Sequence, residues 1–275
     1  MLSILNNISS LQAQNSLNMT SVNLNKTLQQ LSTGQRINSG ADDAAGLAIA
    51  NGLQANVTAL TQSVQNASDG VGMLQVADGA LSQITTLLNR AVTLATESAS
   101  GTVSNQQRTA LDAEFQSIQA EINTIGQKTT YNGAAIFTNG SLTVFMSDSS
   151  NAGTTSVAVA MVTVDAGHLN GVSLTADALT TAAAATTALG DINTAIQDVA
   201  SLRGTLGASS NQLQAATNVM NNQITNIQNA ESGIMDANIG TTTSNLAKFT
   251  VLQQTGIAAL QQSNQMSQSV LKLLQ

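Results

Sequence analysis

A catalytic or metal centre needs several polar side chains converging on one point, and this sequence supplies few candidates. Its one histidine, His168, stands beside the turn pair Asn170-Gly171, with no second His and no Cys to share a metal. It is read as an exposed loop residue. The absence of Cys also removes thiolate ligands, disulfides and a cysteine nucleophile. Asp42 and Asp43 could suggest acid–base work, but adjacent residues on a helix project about 100° apart, and no pocket-forming sequence accompanies them. They suit the positive end of a helix instead. No catalytic residue, cofactor or metal site is therefore expected. Sequons such as Asn7-Ile8-Ser9 and Asn56-Val57-Thr58 arise by chance in a chain so rich in Asn, Ser and Thr.

The elements that position the aspartates lie in the block Leu31 to Ala50. Gly34 follows the apolar positions Leu24, Leu28 and Leu31, and suits a left-handed helix C-cap. Ser39 then stands three residues before Asp42, a Ser-x-x-Asp spacing that predicts a capping box at the next helix start. Ala44, Ala45, Ala48 and Ala50 continue that helix. The block reads as helix, connector, helix.

The 275 residues are long enough for one or two domains with a core, yet only 8% are charged, against roughly 25% in typical domains. Amides and hydroxyls keep the surface polar without net repulsion, which suits packing against copies of the same chain. A net charge of -7 and a pI near 4.4 argue against a nucleic-acid partner, which needs a basic face. Proline is absent, so helices can run uninterrupted. No run of eighteen or more apolar residues occurs, so no membrane span is expected. MLSILNNISS lacks the basic and apolar regions of a secretory signal.

From Leu53 the apolar positions step by four and three through Val57, Leu60, Val64, Ala67, Val71 and Leu74, then Leu81, Leu88 and Val92. Asp78 and Thr85 are polar interruptions of this heptad seam. A shorter stripe follows at Leu111, Phe115, Ile118, Ile122 and Ile125. The later half repeats the device at Val199, Leu206, Leu213, Met220, Ile227 and Ile234, with Arg203, Ser210, Thr217 and Glu231 breaking its other row. The two halves should pack lengthwise and antiparallel. Between them, turn signals at Tyr131-Asn132-Gly133 and Asn139-Gly140 flank β-branched runs at 142–145 and 157–164, which predict a small hairpin region.

The fold class is thus mainly α: a long antiparallel helical hairpin or coiled-coil bundle with a small β-hairpin region in mid-chain. Met1 to Asn25 and Phe249 to Val270 hold no charge, yet carry helical stripes at Ile4, Ile8, Leu11 and Val22, and at Ile257, Leu260, Leu271 and Leu274. Such helices have little apolar face of their own, so they are expected to be loose in the monomer and to order on assembly.

The block Leu31 to Ala50 resembles the signature of bacterial flagellins, with Arg36, Ile37, Asn38, Ser39 and the run Asp42 to Leu47 in place. It departs at Gly40 and Ala41. The segment Ala230 to Gln275 resembles the flagellin C-terminus at Ile234, Asp236, Ala237, Leu246, Gln254, Gly256, Asn264 and the closing Val270 to Leu274. It departs at Gly240, Thr241 and Thr242, where the family usually carries acidic residues. Thr130 to Gly133 resembles a family turn after the second helix.

The resemblance implies an extracellular, self-polymerising filament subunit for swimming, not an enzyme, exported by the flagellum's own type III apparatus without a cleaved signal. Its implied partners are copies of itself, the export apparatus, a flagellin chaperone and the filament cap protein. The HExxH of some relatives' metallopeptidase insertion is absent. Residues 1–40 and 237–275 would form the two halves of a terminal assembly domain, 41–130 and 179–236 the core helices, and 131–178 the hairpin region, with little or no variable outer domain. Ile4, Ile8, Leu11, Arg36, Asp42, Asp43, Ile257, Leu260, Leu271 and Leu274 are the expected subunit contacts. Gln30 to Ala50 aligns with the segment plant receptors read, and Arg90, Leu94 and Glu114 align with contacts of the animal flagellin-sensing receptor. The Arg-poor run Leu88 to Leu94 and Ala41 in place of Lys imply weakened recognition. Two other readings are a hook–filament junction protein, which shares terminal helices, and a chemoreceptor-like signalling hairpin, which would need membrane anchors and a Glu-rich face.

Overall fold

The computed structural model describes residues 7–147, 155–169 and 173–273. Among the described residues there are five long helices: α1 (Ile8–Thr33), α2 (Ala44–Ala99), α3 (Asn105–Lys128), α4 (Ala182–Met235) and α5 (Ile239–Leu273). Between α3 and α4, the described residues form three two-stranded antiparallel sheets. They pair β1 (Thr130–Tyr131) with β2 (Ala134–Ala135), β3 (Gly140–Met146) with β4 (Thr155–Met161), and β5 (Val164–Asp165) with β6 (His168–Leu169). The fold is mainly α with a small β region in mid-chain, as its patterning predicts. No helix among the described residues is long and apolar enough to cross a membrane.

The chain forms two compact units, Met1–Ala55 with Thr225–Gln275, and Asn56–Ile224. In the second unit, α2 buries two rows of residues seven apart. One is Leu60, Ala67, Leu74, Leu81, Leu88 and Ala95; the other is Ser63, Gly70, Ala77, Ile84, Ala91 and Ser98. The expected second row, Val64, Val71, Asp78, Thr85 and Val92, is only half-buried. The true row sits one position earlier and is mostly small residues, because other elements come close there. A Cβ on Gly70 would lie 2.8 Å from Val144 Cγ2 and 3.2 Å from Leu213 Cδ1.

Val199, Leu206, Leu213 and Met220 form the buried row of α4. Gly70 meets Leu213, while further along α2 Asp78 meets Arg203 and Ser98 meets Leu179. The helices therefore run antiparallel. Asp78 and Arg203, both read from sequence as breaks in a seam, are partners: Nε to Oδ1 is 2.7 Å and Nη2 to Oδ2 is 3.2 Å.

α3 starts at a full capping box, with Ser104 and Gln107 satisfying each other's backbone N–H groups. Its apolar stripe buries Phe115, Ile118 and Ile122. Arg108, 7% exposed, turns its guanidinium onto the carbonyls of Ser98 (2.8 Å) and Ser100 (2.8 Å), so a buried cation closes the end of α2. Gly126 lets β5 touch the helix: a Cβ there would lie 1.6 Å from the Val164 carbonyl oxygen. Asn123 Oδ1 accepts from Ala166 N–H at 2.7 Å and anchors the same hairpin. The Asn132-Gly133 turn has φ of 50° and 79°, the left-handed pair a two-residue hairpin requires. β3 lies along α2, where the Ser63 hydroxyl both donates to the Ser147 carbonyl and accepts from its N–H, each at 3.0 Å.

In the first unit, α1 and α5 pack antiparallel, with Asn7 Nδ2 donating to the Ser263 carbonyl at 3.1 Å and Leu17 against Gly256. The more buried row of α1 is Ser10, Ala13, Leu17, Thr20, Leu24, Thr27 and Leu31; that of α5 is Thr242, Leu246, Phe249, Gln253, Gly256 and Leu260. Both rows mix hydroxyls and small residues with leucine, so the pair buries little apolar surface for its length.

Candidate assembly interface and its joint

The first unit offers two features to function: outward apolar faces and a polar joint. On α1, Ile8, Leu11, Met19 and Val22 are 61–67% exposed. At 100° per residue they point away from the Leu17–Leu24 row, onto the opposite face. The apolar stripe read from sequence is thus the outer one. On α5, Val251, Leu252, Ile257 and Met266 are also exposed, whereas Leu260 is half-buried on the inward row. The expected contacts Ile4 and Leu274 lie outside the described residues. Leu271 belongs to α5.

The joint gathers Gly34 to Gly46 and the end of α4. α1 stops at Gly34, whose φ of 72° is left-handed. The Gly34 carbonyl accepts from Ala237 N–H at 2.8 Å, and Arg36 N–H donates to the Met235 carbonyl at 2.6 Å, so Gln35 and Asp236 form an antiparallel bridge. Arg36 also sends Nη2 to the Ile234 carbonyl at 2.8 Å. The guanidinium thereby satisfies one carbonyl that the last turn of α4 leaves free, at the negative end of its dipole, and the Arg36 N–H satisfies another. Gln30 Nε2 returns to the Arg36 carbonyl at 2.8 Å.

Asp42 and Asp43 have separate tasks. Asp42 Oδ2 accepts from the N–H groups of Asn38 and Ser39, both at 3.1 Å, while Oδ1 meets Lys26 Nζ at 2.7 Å. The Lys26 ammonium first, then the Asn38 N–H, hold the Asp42 carboxyl down at about 2. The cap of α2 is Asp43, whose Oδ1 accepts from Gly46 N–H at 2.9 Å. This corrects the expected capping box: Ser39 lies too early, and its hydroxyl donates to Asp42 Oδ2 at 3.2 Å within the connector. Gly46 is confined, since a Cβ would lie 2.6 Å from Asp43 Oδ2 and 2.8 Å from Ile37 Cδ1. Ile37, 2% exposed, plugs the joint.

Charge divides unevenly. The first unit holds four basic residues (Lys26, Arg36, Lys248, Lys272) and four acidic ones (Asp42, Asp43, Glu231, Asp236), so the chain's -7 falls wholly on the second. Among the described residues, no group of three or more His, Cys, Asp or Glu could hold a metal. In the second unit, Arg90 and Glu114 form an exposed ion pair at 2.7 Å. Leu94, at 1% exposed, lies beside Ala91 and Ala95 on the buried face of α2. Sequence reasoning passed over Arg108 and the Gly126 contact, because the partners of both are set by the fold.

Comparison with known proteins agrees with this architecture. Residues 4–141 match the bacterial flagellin N-terminal helical region and residues 189–274 the bacterial flagellin C-terminal helical region. B-type flagellin of Pseudomonas aeruginosa is 46% identical over 132 residues, covering 48% of this chain and 27% of that protein. Polar flagellin F of Vibrio parahaemolyticus is 40% identical over 127 residues, 46% of this chain and 34% of that one. The matched stretch thus spans about a third of these relatives' length. A Vibrio parahaemolyticus structure provisionally assigned as a flagellar hook-associated protein shares the fold at a TM-score of 0.59 and 14% identity, covering 71% of this chain and all of that one. The two terminal helical regions, matched in order around the joint, place this chain in the bacterial flagellin family.

Proposed function

We propose that the chain is a subunit of the extracellular flagellar filament and that it polymerises by burying the outward faces of α1 and α5 between copies. The family is structural rather than enzymatic. The observation that carries the reading is the pairing of an apolar outer face, Ile8, Leu11, Met19 and Val22, with a unit of zero formal charge. Copies can stack there without repulsion, and a repeated non-closing contact gives a helical array. Within the first unit, the joint of Arg36, Asp42 and Asp43 ties the end of α1 to the start of α2 and the end of α4, and the terminal pair itself orders as the array forms. By resemblance, the partners before assembly are the export apparatus, a chaperone and the filament cap.

Seeding tests this. Purified chain mixed with short filament seeds should elongate them into long filaments, while a chain trimmed before Gln30 and after Gly240 should stay monomeric. Equal behaviour of the two would refute the role of the ends, and failure of the full chain to elongate would favour a junction protein. Host recognition is weakened in this reading, because Arg90 is paired to Glu114 and Leu94 is buried. Undiminished receptor activation by pure protein would overturn that part.

A further inference from the structure

We propose that the free edge of β3 is a docking site for an extended segment of a partner protein, one that carries a lysine or arginine and adds a third strand to the β3–β4 sheet.

The Ser147 N–H donates to the Ser63 hydroxyl on α2 at 3.0 Å, so it points away from β4. In an extended strand every second residue turns its backbone groups the same way, so those of Phe145, Thr143 and Ser141 also point away from β4. The Phe145 carbonyl agrees, accepting from Asn66 Nδ2 on α2 at 3.2 Å. In the register, Phe145 with Ser156, Thr143 with Ala158 and Ser141 with Ala160 are therefore the pairs that exchange no ladder bonds. α2 covers this edge only in part. Ser63 and Asn66 serve the end near Ser147, but one turn further on α2 offers Gly70, which has the Val144 side chain against it, and the carboxylate of Asp69, which has no proton to donate. Among the described residues nothing is bonded to the N–H and C=O groups of Thr143 and Ser141.

These groups open on a cleft of about 660 Å³, within the range of about 300–1,000 Å³ usual for ligand sites. Its far wall is the β1–β2 hairpin, where the Tyr131 hydroxyl stands beside Gly72 of α2. Phe145, 48% exposed, and Met73 give the cleft apolar surface. Edge groups placed in this way are matched by another strand, which meets donors and acceptors at their own spacing. Natural edges often carry a charge or a proline that turns strands away, and Thr129 to Ser147 has neither. Charge selects the kind of strand. Asp69 is the one charged residue among those lining the cleft; its Oδ1 accepts from the neutral Gln65 amide at 3.1 Å, and among the described residues no cation pairs with it. The unit around it carries the chain's whole -7. A basic segment is drawn to this edge, while a second copy of the same acidic unit is a poorer match.

The probe is a capped synthetic peptide, Thr-Val-Thr-Lys-Val-Thr, titrated into the full 15N-labelled monomeric chain. Binding should saturate with a Kd below about 1 mM. It should shift the Ser141, Thr143 and Phe145 amide resonances and slow hydrogen exchange of the first two by about tenfold or more. Asp69→Asn should weaken it about two- to fivefold, and a peptide with glutamate in place of lysine should bind more weakly still. N-methylation of the peptide at alternate positions should abolish binding in one parity and spare it in the other, a result that needs no variant of the chain to fold. Thr143→Pro, which removes an N–H that faces away from β4, should abolish binding as well. No saturation by about 5 mM peptide, equal binding of the two N-methylated peptides, or edge shifts that grow with protein concentration alone, the mark of a second copy, would overturn the proposal.

Discussion

Val22→Asp separates folding from assembly. Val22 is 67% exposed on the outer face of α1, and burying a whole valine side chain is worth about 1.5–3 kcal/mol. Roughly two-thirds of that, about 1–2 kcal/mol per subunit, is left to be gained between copies. A carboxylate at this site forfeits the gain and must also shed water or hold the neighbour away, which costs at least ~1–2 kcal/mol more. The sum, ~2–4 kcal/mol, raises the critical concentration for seeded elongation about 30- to 1,000-fold. The isolated chain should hardly notice, because an exposed helical substitution of similar propensity changes stability by about 0.5 kcal/mol or less. The assay is pelleting of seeded reactions over a concentration series, with thermal melting of the monomer beside it. Leu24→Asp, on the half-buried inner row, is the contrast, and it should lower monomer stability. Val22→Asp elongating within threefold of the natural critical concentration, or losing as much monomer stability as Leu24→Asp, would refute the outward-face reasoning.

Other perturbations read other parts. Gly126→Ala must push the β5–β6 hairpin back by about 1.5 Å and break the Asn123–Ala166 bond, costing ~2–4 kcal/mol by urea unfolding. Gly204→Ala, with nothing within 4 Å of the new Cβ, should instead stabilise by ~0.5–1 kcal/mol. Arg36→Gln removes the guanidinium from the Ile234 carbonyl, and hydrogen exchange in the last turn of α4 should quicken while exchange in α3 stays unchanged. Asp42 is depressed from 3.8 to about 2, so its stabilisation is complete above about 3.8 and lost as pH falls through about 2. In Lys26→Met the carboxyl should titrate closer to its ordinary value by NMR. Because the -7 sits on the second unit, added salt should lower the critical concentration.

Sequence made the leucine rows plain because large apolar residues seven apart carry a strong periodic signal. Ser63, Gly70, Ala77, Ala91 and Ser98 carry almost none, so the valines beside them looked like the second row. The same cause hid the inner faces of α1 and α5, where Thr27 and Thr242 are buried and the conspicuous stripe is the outer one. Turn chemistry was legible at Gly34 and at Asn132-Gly133, where only special φ values serve. The cap of α2 was not, since both Ser39 and Asp43 are good capping residues and the path of the connector decides between them. Contacts such as Arg108 on the Ser98 carbonyl and Arg203 on Asp78 depend on residues that meet through the fold, beyond any local pattern.

The bidentate contact of Asp78 with Arg203 solves a problem that the leucines create. A seam that repeats every seven residues looks nearly the same after α4 slides by one repeat, so apolar packing alone chooses weakly between alignments. Slipped one way, Arg203 would face Thr85; slipped the other, Val71. In either misalignment a carboxylate and a guanidinium each lose their partner at the helix seam. The ion pair works less as glue than as an index mark, telling two self-similar helices which of their equivalent settings is the right one.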